Sequence, residues 1–470
     1  MEAFQAVVTT GIYCRPECAG RPLAGNVRLF SLAAAAEASG YRACLRCRPY
    51  RAAQPFEWAG PELVCRAVQL IVDGALDDGT EADLGARLGV SARHLRRLFG
   101  VHLGVTPDVL ARSRRAHFAR RLLDDTDLQV TDVAYAAGFG SVRQLNRACR
   151  DIFQAPPTEL RARRRRTDRL VADGGLVLRL PFGGPLDWSA MLRYFADRAI
   201  PGVEAVAGDT YRRTIVVDGD PGVLEIGPGG ADHLLLRAHL PHWEGLIHIV
   251  ERARRIFSLD APVEQAARHL SQDPALATLM QSRPGLRVPG AWDPFETGVR
   301  AILGQQVSVA GATTLTGRLV ERLGARVPGL DAFGLGHTFP PPATIAKADL
   351  SGLGATGARI AAVQAFARAV DAGDVLLDRS VPLGQLVRSL TSLRGIGPWT
   401  AQYIALRLGE HDAFPAGDLG LRRAVAALYP PPPAPVDVVA ERWAPWRATA
   451  AAQLWLGGGA RGAAGDGRPC

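Results

Sequence analysis

The run Leu393-Arg394-Gly395-Ile396-Gly397-Pro398-Trp399-Thr400-Ala401 constrains this chain more than any other stretch. It reads as a tight hairpin between two helices. The glycines at 395 and 397 leave backbone N–H groups free to face outward, helped by the N-terminus of the helix that follows. Eighteen residues after Thr400, behind the Pro/Gly loop Phe414-Pro415-Ala416-Gly417, stands Asp418. A carboxylate is thereby delivered by a second turn close behind the hairpin in sequence.

A second constraint lies near the start, in Cys14-x3-Cys18 and Cys44-x2-Cys47. Pairs with two or three intervening residues are good chelates, and four thiolates close a tetrahedral zinc site. The 25 residues between the pairs leave room for a small fold, to which the metal would supply folding energy. Cys65, Cys149 and Cys470 are scattered. Without a basic segment and apolar core at the N-terminus, paired cysteines favour metal over disulfides, and the cytoplasm is the default compartment.

At 470 residues the chain exceeds one ordinary core and should form three or four domains. No apolar run reaches the roughly 20 residues needed to cross a membrane. The charge is uneven: residues 1–170 hold 26 Arg against 18 Asp and Glu, a net of +8, and the remainder 29 Lys and Arg against 28, a net of +1. A basic first third favours a polyanionic partner. Lys347 is the only lysine, which a GC-rich genome would explain, but that does not account for the unevenness.

The expected architecture is multidomain and mainly α with an α+β subdomain. Residues 1–52 form a small zinc domain. Residues 58–160 are helical, and Arg161-Ala162-Arg163-Arg164-Arg165-Arg166 marks a linker. Residues 172–285 hold strand-like stretches at Leu176–Phe182, Tyr211–Asp218 and His233–Leu240 with a helix at Asp187–Ala199, an antiparallel α+β pattern. Residues 286–456 show helical apolar spacing, interrupted at Pro340–Pro342 and Pro430–Pro433, and residues 457–470 form a disordered Gly/Ala tail. Within 58–160 a helix–turn–helix pattern occurs twice, about 49 residues apart, with Ser91, Thr131 and Ser141 as N-caps. Its second helices present Arg93, Arg96 and Arg97, then Arg143, Gln144, Asn146 and Arg147, side chains able to read base edges in a major groove.

Three families are visible in these motifs. Thr9–Cys18 and Gly40–Pro49 resemble the zinc domain of adaptive-response (Ada-type) alkylation repair proteins, with fewer residues before the motif than that family has. The resemblance implies one zinc on Cys14, Cys18, Cys44 and Cys47, with Cys14 accepting a methyl group from a DNA methylphosphotriester. The doubled helix–turn–helix, ending Ile152-Phe153-Gln154-Ala155-Pro156-Pro157, resembles AraC-type DNA-binding domains. It implies a transcriptional regulator, with RNA polymerase as a partner. Residues 176–456 resemble 3-methyladenine DNA glycosylase II of the helix–hairpin–helix superfamily, through the hairpin, Asp418, Pro185–Ser189, Ala301–Ser308 and Arg442–Arg447.

That resemblance implies release of alkylated purines from duplex DNA by Asp418. Trp399, Tyr403, Trp455, Trp446 and Tyr194 would form an electron-rich pocket for a cationic base. Gly395, Gly397 and Thr400 would hold the DNA backbone, and Gln306 would wedge into the gap left by the flipped base. Trp399 occupies the place where strand-cutting relatives carry a lysine, so strand cleavage is not expected. No four-cysteine cluster follows Asp418, so no iron–sulfur cluster is expected. No O6-alkylguanine methyltransferase domain is evident, since Cys470 lacks a Pro-Cys-His context. Whether Asp418 activates water or stabilises the sugar cation stays open. So does the alternative of a regulator whose glycosylase half binds DNA without catalysis.

Overall fold

A computed structural model describes residues 4–20, 22–52, 60–171, 174–429 and 434–457. The Pro430–Pro433 break and all but the first residue of the expected tail lie outside the described residues; Gly457 ends a helix. The chain packs into two compact units. One is Met1–Gly183 with His242–Glu251, the other Gly184–Pro241 with Arg252 onward.

The first unit opens with a four-stranded sheet: β1 (Phe4–Val7), β2 (Ile12–Cys14), β3 (Val27–Phe30) and β4 (Arg42–Ala43), in the order β3-β1-β2-β4. Strands β2 and β4 run parallel, with Tyr13 opposite Ala43. Cys14 ends β2 and Cys44 follows β4, so this register sets the two cysteine pairs side by side. Helix α1 (Ala33–Ala38) is nearly all alanine; it packs on α5 (Pro107–Asp125) and shares one core with α2 (Glu62–Val72) and α4 (Ala92–Leu103).

Six helices follow α2: α3 (Glu81–Arg87), α4, α5 (Pro107–Asp125), α6 (Val130–Ala136), α7 (Val142–Phe153) and α8 (Pro157–Ala162). Ser91 and Ser141 cap α4 and α7 by accepting from the third backbone N–H of each helix. Thr80 and Asp83 form a reciprocal capping box on α3. Thr131 differs from expectation. Gln129 holds the N-cap position of α6 without a side-chain bond, and Thr131 lies within the helix.

Buried polar contacts join the N-terminal sheet and α1 to α5. Glu37 accepts from Tyr13 Oη at 2.6 Å and Ser113 Oγ at 2.6 Å, and pairs with His117 Nε2 at 2.5 Å. Burial opposes the charge on Glu37, but the neighbouring His117 and these hydrogen bonds outweigh it and hold the carboxyl below its ordinary value. Arg48 and Arg51 reach Asp168 at 2.5 and 2.7 Å, and Tyr50 Oη donates to Asp124 at 3.1 Å. A buried carboxylate left without such partners costs several kcal/mol, about 3–5 when one partner is removed. The strand β5 (Leu176–Pro181) closes the first segment of this unit, with Arg179 paired to Asp125 at 2.8 Å.

In the second unit Asp187 caps α9 (Trp188–Ala196), which ends three residues earlier than the expected Ala199. Four strands then form an antiparallel meander: β6 (Glu204–Ala207), β7 (Thr210–Val217), β8 (Asp220–Pro228) and β9 (His233–His239). Strands β6 and β8 were not foreseen. Strand β8 carries Pro221, Gly222, Gly227 and Pro228, residues that argue against a strand, yet both prolines sit at its ends. Helix α10 (Leu246–Ile256) begins in the first unit's residues and ends in the second's. Helices α11 (Val263–Leu270), α12 (Pro274–Ser282), α13 (Pro294–Leu303), α14 (Val309–Leu323), α15 (Pro342–Lys347), α16 (Gly357–Asp371), α17 (Leu383–Thr391), α18 (Pro398–Arg407), α19 (Leu419–Leu428), α20 (Val436–Ala440) and α21 (Arg447–Gly457) complete it. The buried α13 packs against α16, where Phe295 stacks on Phe366 at 5.5 Å, and against α18. The meander is tied to α13 by the wholly buried Arg213, which donates to Glu296 at 2.8 Å.

Candidate active site and metal centre

Asp418 is the N-cap of α19, and the cap aims its carboxylate. Oδ1 accepts from Leu421 N–H at 3.0 Å and from Trp455 Nε1–H at 2.9 Å, and Oδ2 accepts from Trp399 Nε1–H at 3.1 Å. A carboxylate offers about four lone-pair sites. Three are occupied here, leaving one on Oδ2.

The aromatic rings follow from two helices. Trp399 and Tyr403 are one turn apart on α18 and stack at 5.4 Å with an interplanar angle of 11°. Trp455, from α21, meets the Tyr403 ring edge-on at 6.3 Å. Tyr194 Oη, from α9, lies 3.2 Å from Tyr403 Oη. Trp446, also expected in the pocket, is buried against His411 with ring centroids 5.2 Å apart, and its described ring contact lies there rather than in the cluster.

Beneath the two tyrosines lies Arg407. Its Nη1 donates to Tyr194 Oη at 2.8 Å and Tyr403 Oη at 3.1 Å, and its other nitrogens donate to the carbonyls of Pro289 and Gly290. Burial raises the Tyr403 hydroxyl, but the charges of Arg407 and Arg198 outweigh it and bring it down to about 8. Tyr194 moves the other way, raised chiefly by burial.

The hairpin joins α17 to α18. Gly395 has φ +91°, and a Cβ there would lie 2.6 Å from the Ala362 Cβ, so both its conformation and its packing require glycine. Gly397 begins α18 with no side-chain cap, and nothing within 4 Å would meet a Cβ on it. The folded chain itself does not need glycine at 397; the open space lies toward solvent at an uncapped helix N-terminus.

Thr400 does not face that space. It is 2% exposed, and its Oγ1 accepts from Gln305 Nε2 at 3.0 Å. The same Nε2 donates to the Gly395 carbonyl at 2.9 Å, while Arg359 holds the Gln305 carbonyl at 2.6 Å. Next to it, the exposed Gln306 has φ +55°, a left-handed conformation that costs a non-glycine residue about 1–2 kcal/mol.

In the first unit, the Sγ atoms of Cys14, Cys18, Cys44 and Cys47 all lie within 4.8 Å of one another. A hydrogen bond from Cys14 outweighs burial and brings the Cys47 thiol down to about 5, while Cys14 is pushed up. Four sulfurs this close share few protons comfortably, and the donor set fits a tetrahedral cation. On α4 and α7, Arg93, Arg143 and Arg147 are exposed, with Arg147 3.9 Å from Asp151. Arg96 is also exposed but paired with Glu81, while Gln144 accepts from Gly140 N–H at 3.0 Å and Asn146 donates to the Val142 carbonyl at 3.0 Å.

Family models match along almost the whole chain: the metal-binding domain of Ada at residues 2–50, a helix-turn-helix domain at 84–163, the AlkA N-terminal domain at 177–293, and the HhH-GPD superfamily of base excision DNA repair proteins at 299–448. A protein of Mycobacterium tuberculosis named "Probable bifunctional transcriptional activator/DNA repair enzyme AlkA" is 40% identical over 96% of this chain and 92% of its own length. The chain belongs to this AlkA family of bifunctional activator and repair enzymes. The chain is also similar to DNA-3-methyladenine glycosylase 2 of Escherichia coli, 36% identical over 58% of this chain and 94% of the relative. Among solved structures, a 3-methyladenine DNA glycosylase from Archaeoglobus fulgidus matches with TM-score 0.52 and 26% identity over 59% of this chain and 97% of that one.

This AlkA-family chain is therefore a DNA repair glycosylase joined to a DNA-binding transcriptional regulator, with a metal-binding cysteine cluster. No described helix is long and apolar enough to cross a membrane. Two residues of its site escaped sequence reasoning. Arg407 carried a faint signal, a cation one turn after Tyr403 on the same helix. Gln305 was hidden by its neighbour in the Gln-Gln pair.

Proposed function

We propose that the second unit is a monofunctional glycosylase that excises cationic alkylpurines such as 3-methyladenine. The observation that carries this reading is the Asp418 carboxylate bonded to the indoles of Trp399 and Trp455, with Trp399 stacked on Tyr403. Purine alkylation at N3 or N7 makes the base a cation and a good leaving group, and aromatic faces attract cations. The C1′–N bond breaks, the base leaves neutral with the electron pair, and water adds at C1′ and gives up its proton to solvent. With three N–H donors on its oxygens, Asp418 serves chiefly to stabilise the positive sugar, and its remaining lone pair on Oδ2 orients the water. Gly395, Gly397 and the first amides of α18 receive the DNA phosphate, and Gln306 takes the flipped base's place. Thr400 supports the hairpin from within.

The hydrolytic outcome is supported by the absence of an amine nucleophile, because the only lysine, Lys347, ends α15 and Trp399 stands in the hairpin. No iron–sulfur cluster is part of this reading. In the first unit, Cys14, Cys18, Cys44 and Cys47 hold one zinc, which when bound keeps its thiols deprotonated at neutral pH. Cys14 then accepts a methyl from a phosphotriester: an S–C bond forms, the C–O bond breaks, and a phosphodiester anion remains. The exposed Arg93, Arg143 and Arg147 contact operator DNA, and RNA polymerase is the regulator's partner in the cytoplasm. The four domains are 1–52, 58–160, 172–285 and 286–456.

The test is release of free base from methylated duplex DNA. 3-Methyladenine should appear without strand breaks. Intact binding with no base released would leave the second unit a DNA-binding module only.

A further inference from the structure

Six of the nine residues from 161 to 169 are arginines: 161, 163, 164, 165, 166 and 169. In sequence they look like a solvated linker, but the fold gathers four of them. Helix α8 packs on α5 and α7, and beyond it Arg161, Arg164, Arg166 and Arg169 line a concavity of about 490 Å³. Its charge is under-compensated. Asp127 pairs with Arg164 at 2.9 Å and Arg169 at 2.6 Å, and Glu159 pairs with Arg163. Asp168 is turned away to Arg48 and Arg51. Among the described residues, one carboxylate, Asp127, thus serves the four guanidinium groups that line the concavity.

Arg161 shows the consequence. Its Nη2 donates to the Leu128 carbonyl at 2.5 Å, but its Nε is buried without an acceptor among the described residues. Burial, then the charge of Arg164, lowers its affinity for its proton. An anion in the concavity would relieve both.

We propose that this arginine concavity is a second DNA contact, seating backbone phosphates of the duplex whose bases the recognition helices read. The proposal rests on the DNA-binding reading of the first unit. Guanidinium forks match phosphate oxygens in pairs, and the same unit exposes Arg93, Arg143 and Arg147 on α4 and α7. A duplex is the polyanion that fits both surfaces.

The experiment uses full-length, zinc-loaded protein and a fluorescent duplex of about 30 base pairs, with anisotropy read from about 50 to 200 mM KCl. Each phosphate contact adds about 0.9 to the slope of log K against log salt. The double variant Arg166→Ala, Arg169→Ala should therefore lower the slope by about 1.8, and over this range should lose about 12-fold less affinity than the wild type. The corresponding double Arg→Lys variant should keep the slope. Arg143→Ala separates the two readings. If it weakens binding while the double alanine variant leaves the slope unchanged, the concavity proposal is overturned and the DNA-binding reading stands. If the wild type binds no duplex, both fall. Calorimetry with inorganic pyrophosphate distinguishes a small-anion pocket: saturable binding with an unchanged slope on DNA also overturns the proposal.

Discussion

Asp418→Asn separates the structural role of this side chain from its chemical one. Asparagine caps helices as well as aspartate does, so α19 should still start at Leu419. Three N–H groups converge on the carboxylate, two on Oδ1 and one on Oδ2. The amide oxygen can keep Leu421 N–H and Trp455 Nε1–H, but the amide nitrogen then faces Trp399 Nε1–H, donor against donor. Flipping the amide leaves two donors unpaired. The better orientation loses one charge-assisted bond and leaves an indole N–H unsatisfied, about 1–3 kcal/mol. In a unit of this size that lowers Tm by roughly 2–4 °C per kcal/mol. The chemical loss is larger. Removing one preorganised electrostatic group typically costs about 10²–10³ in rate, and here the full negative charge facing the sugar cation goes. Single-turnover release of 3-methyladenine from methylated DNA should fall by about 10³ or more, while affinity for abasic-analogue DNA changes only a few-fold. A folded variant that releases base within about tenfold of wild type would refute the argument that the charge drives the reaction.

Gln305→Ala removes both bonds from Nε2 to the hairpin, at an expected cost of about 1–3 kcal/mol. It should lower base release and the fluorescence signal of a flipped 2-aminopurine together, and Thr400→Val should add little on top of it. Replacing Cys44 with Ser should abolish stoichiometric zinc, read by elemental analysis, and lower the melting temperature of the first unit. The buried Glu37 sets a pH dependence. Its folded pKa lies below the unfolded value of about 4.3, so its contribution is complete above that value and is lost as pH falls through the folded one. Thermal melts between pH 6 and pH 3 should show this loss, and Glu37→Gln should flatten it while lowering stability at neutral pH.

What was legible in the sequence was local. Ser91 and Ser141 act within three residues of themselves, so their caps could be read from spacing. The two cysteine pairs could be read for the same reason, although the parallel pairing of β2 with β4 that brings them together could not. Strand β8 was hidden because proline and glycine at a strand's ends look the same in sequence as proline and glycine within a turn.

The residues that escaped reading act across long separations. Arg407 meets Tyr194 across 213 positions, and Gln305 meets Thr400 across 95. A buried arginine and a buried glutamine amide leave no pattern along the chain, because their partners are a phenol on α9, the carbonyls of Pro289 and Gly290, and the hairpin itself. Yet these contacts decide how the motif residues are held. Asp418 is aimed by its own helix, but Trp399 is aimed by α18, whose N-terminus hangs on Gln305 and whose C-terminal end is anchored by Arg407. The motif names the reacting groups, and the long-range hydrogen bonds set the distances at which they can react.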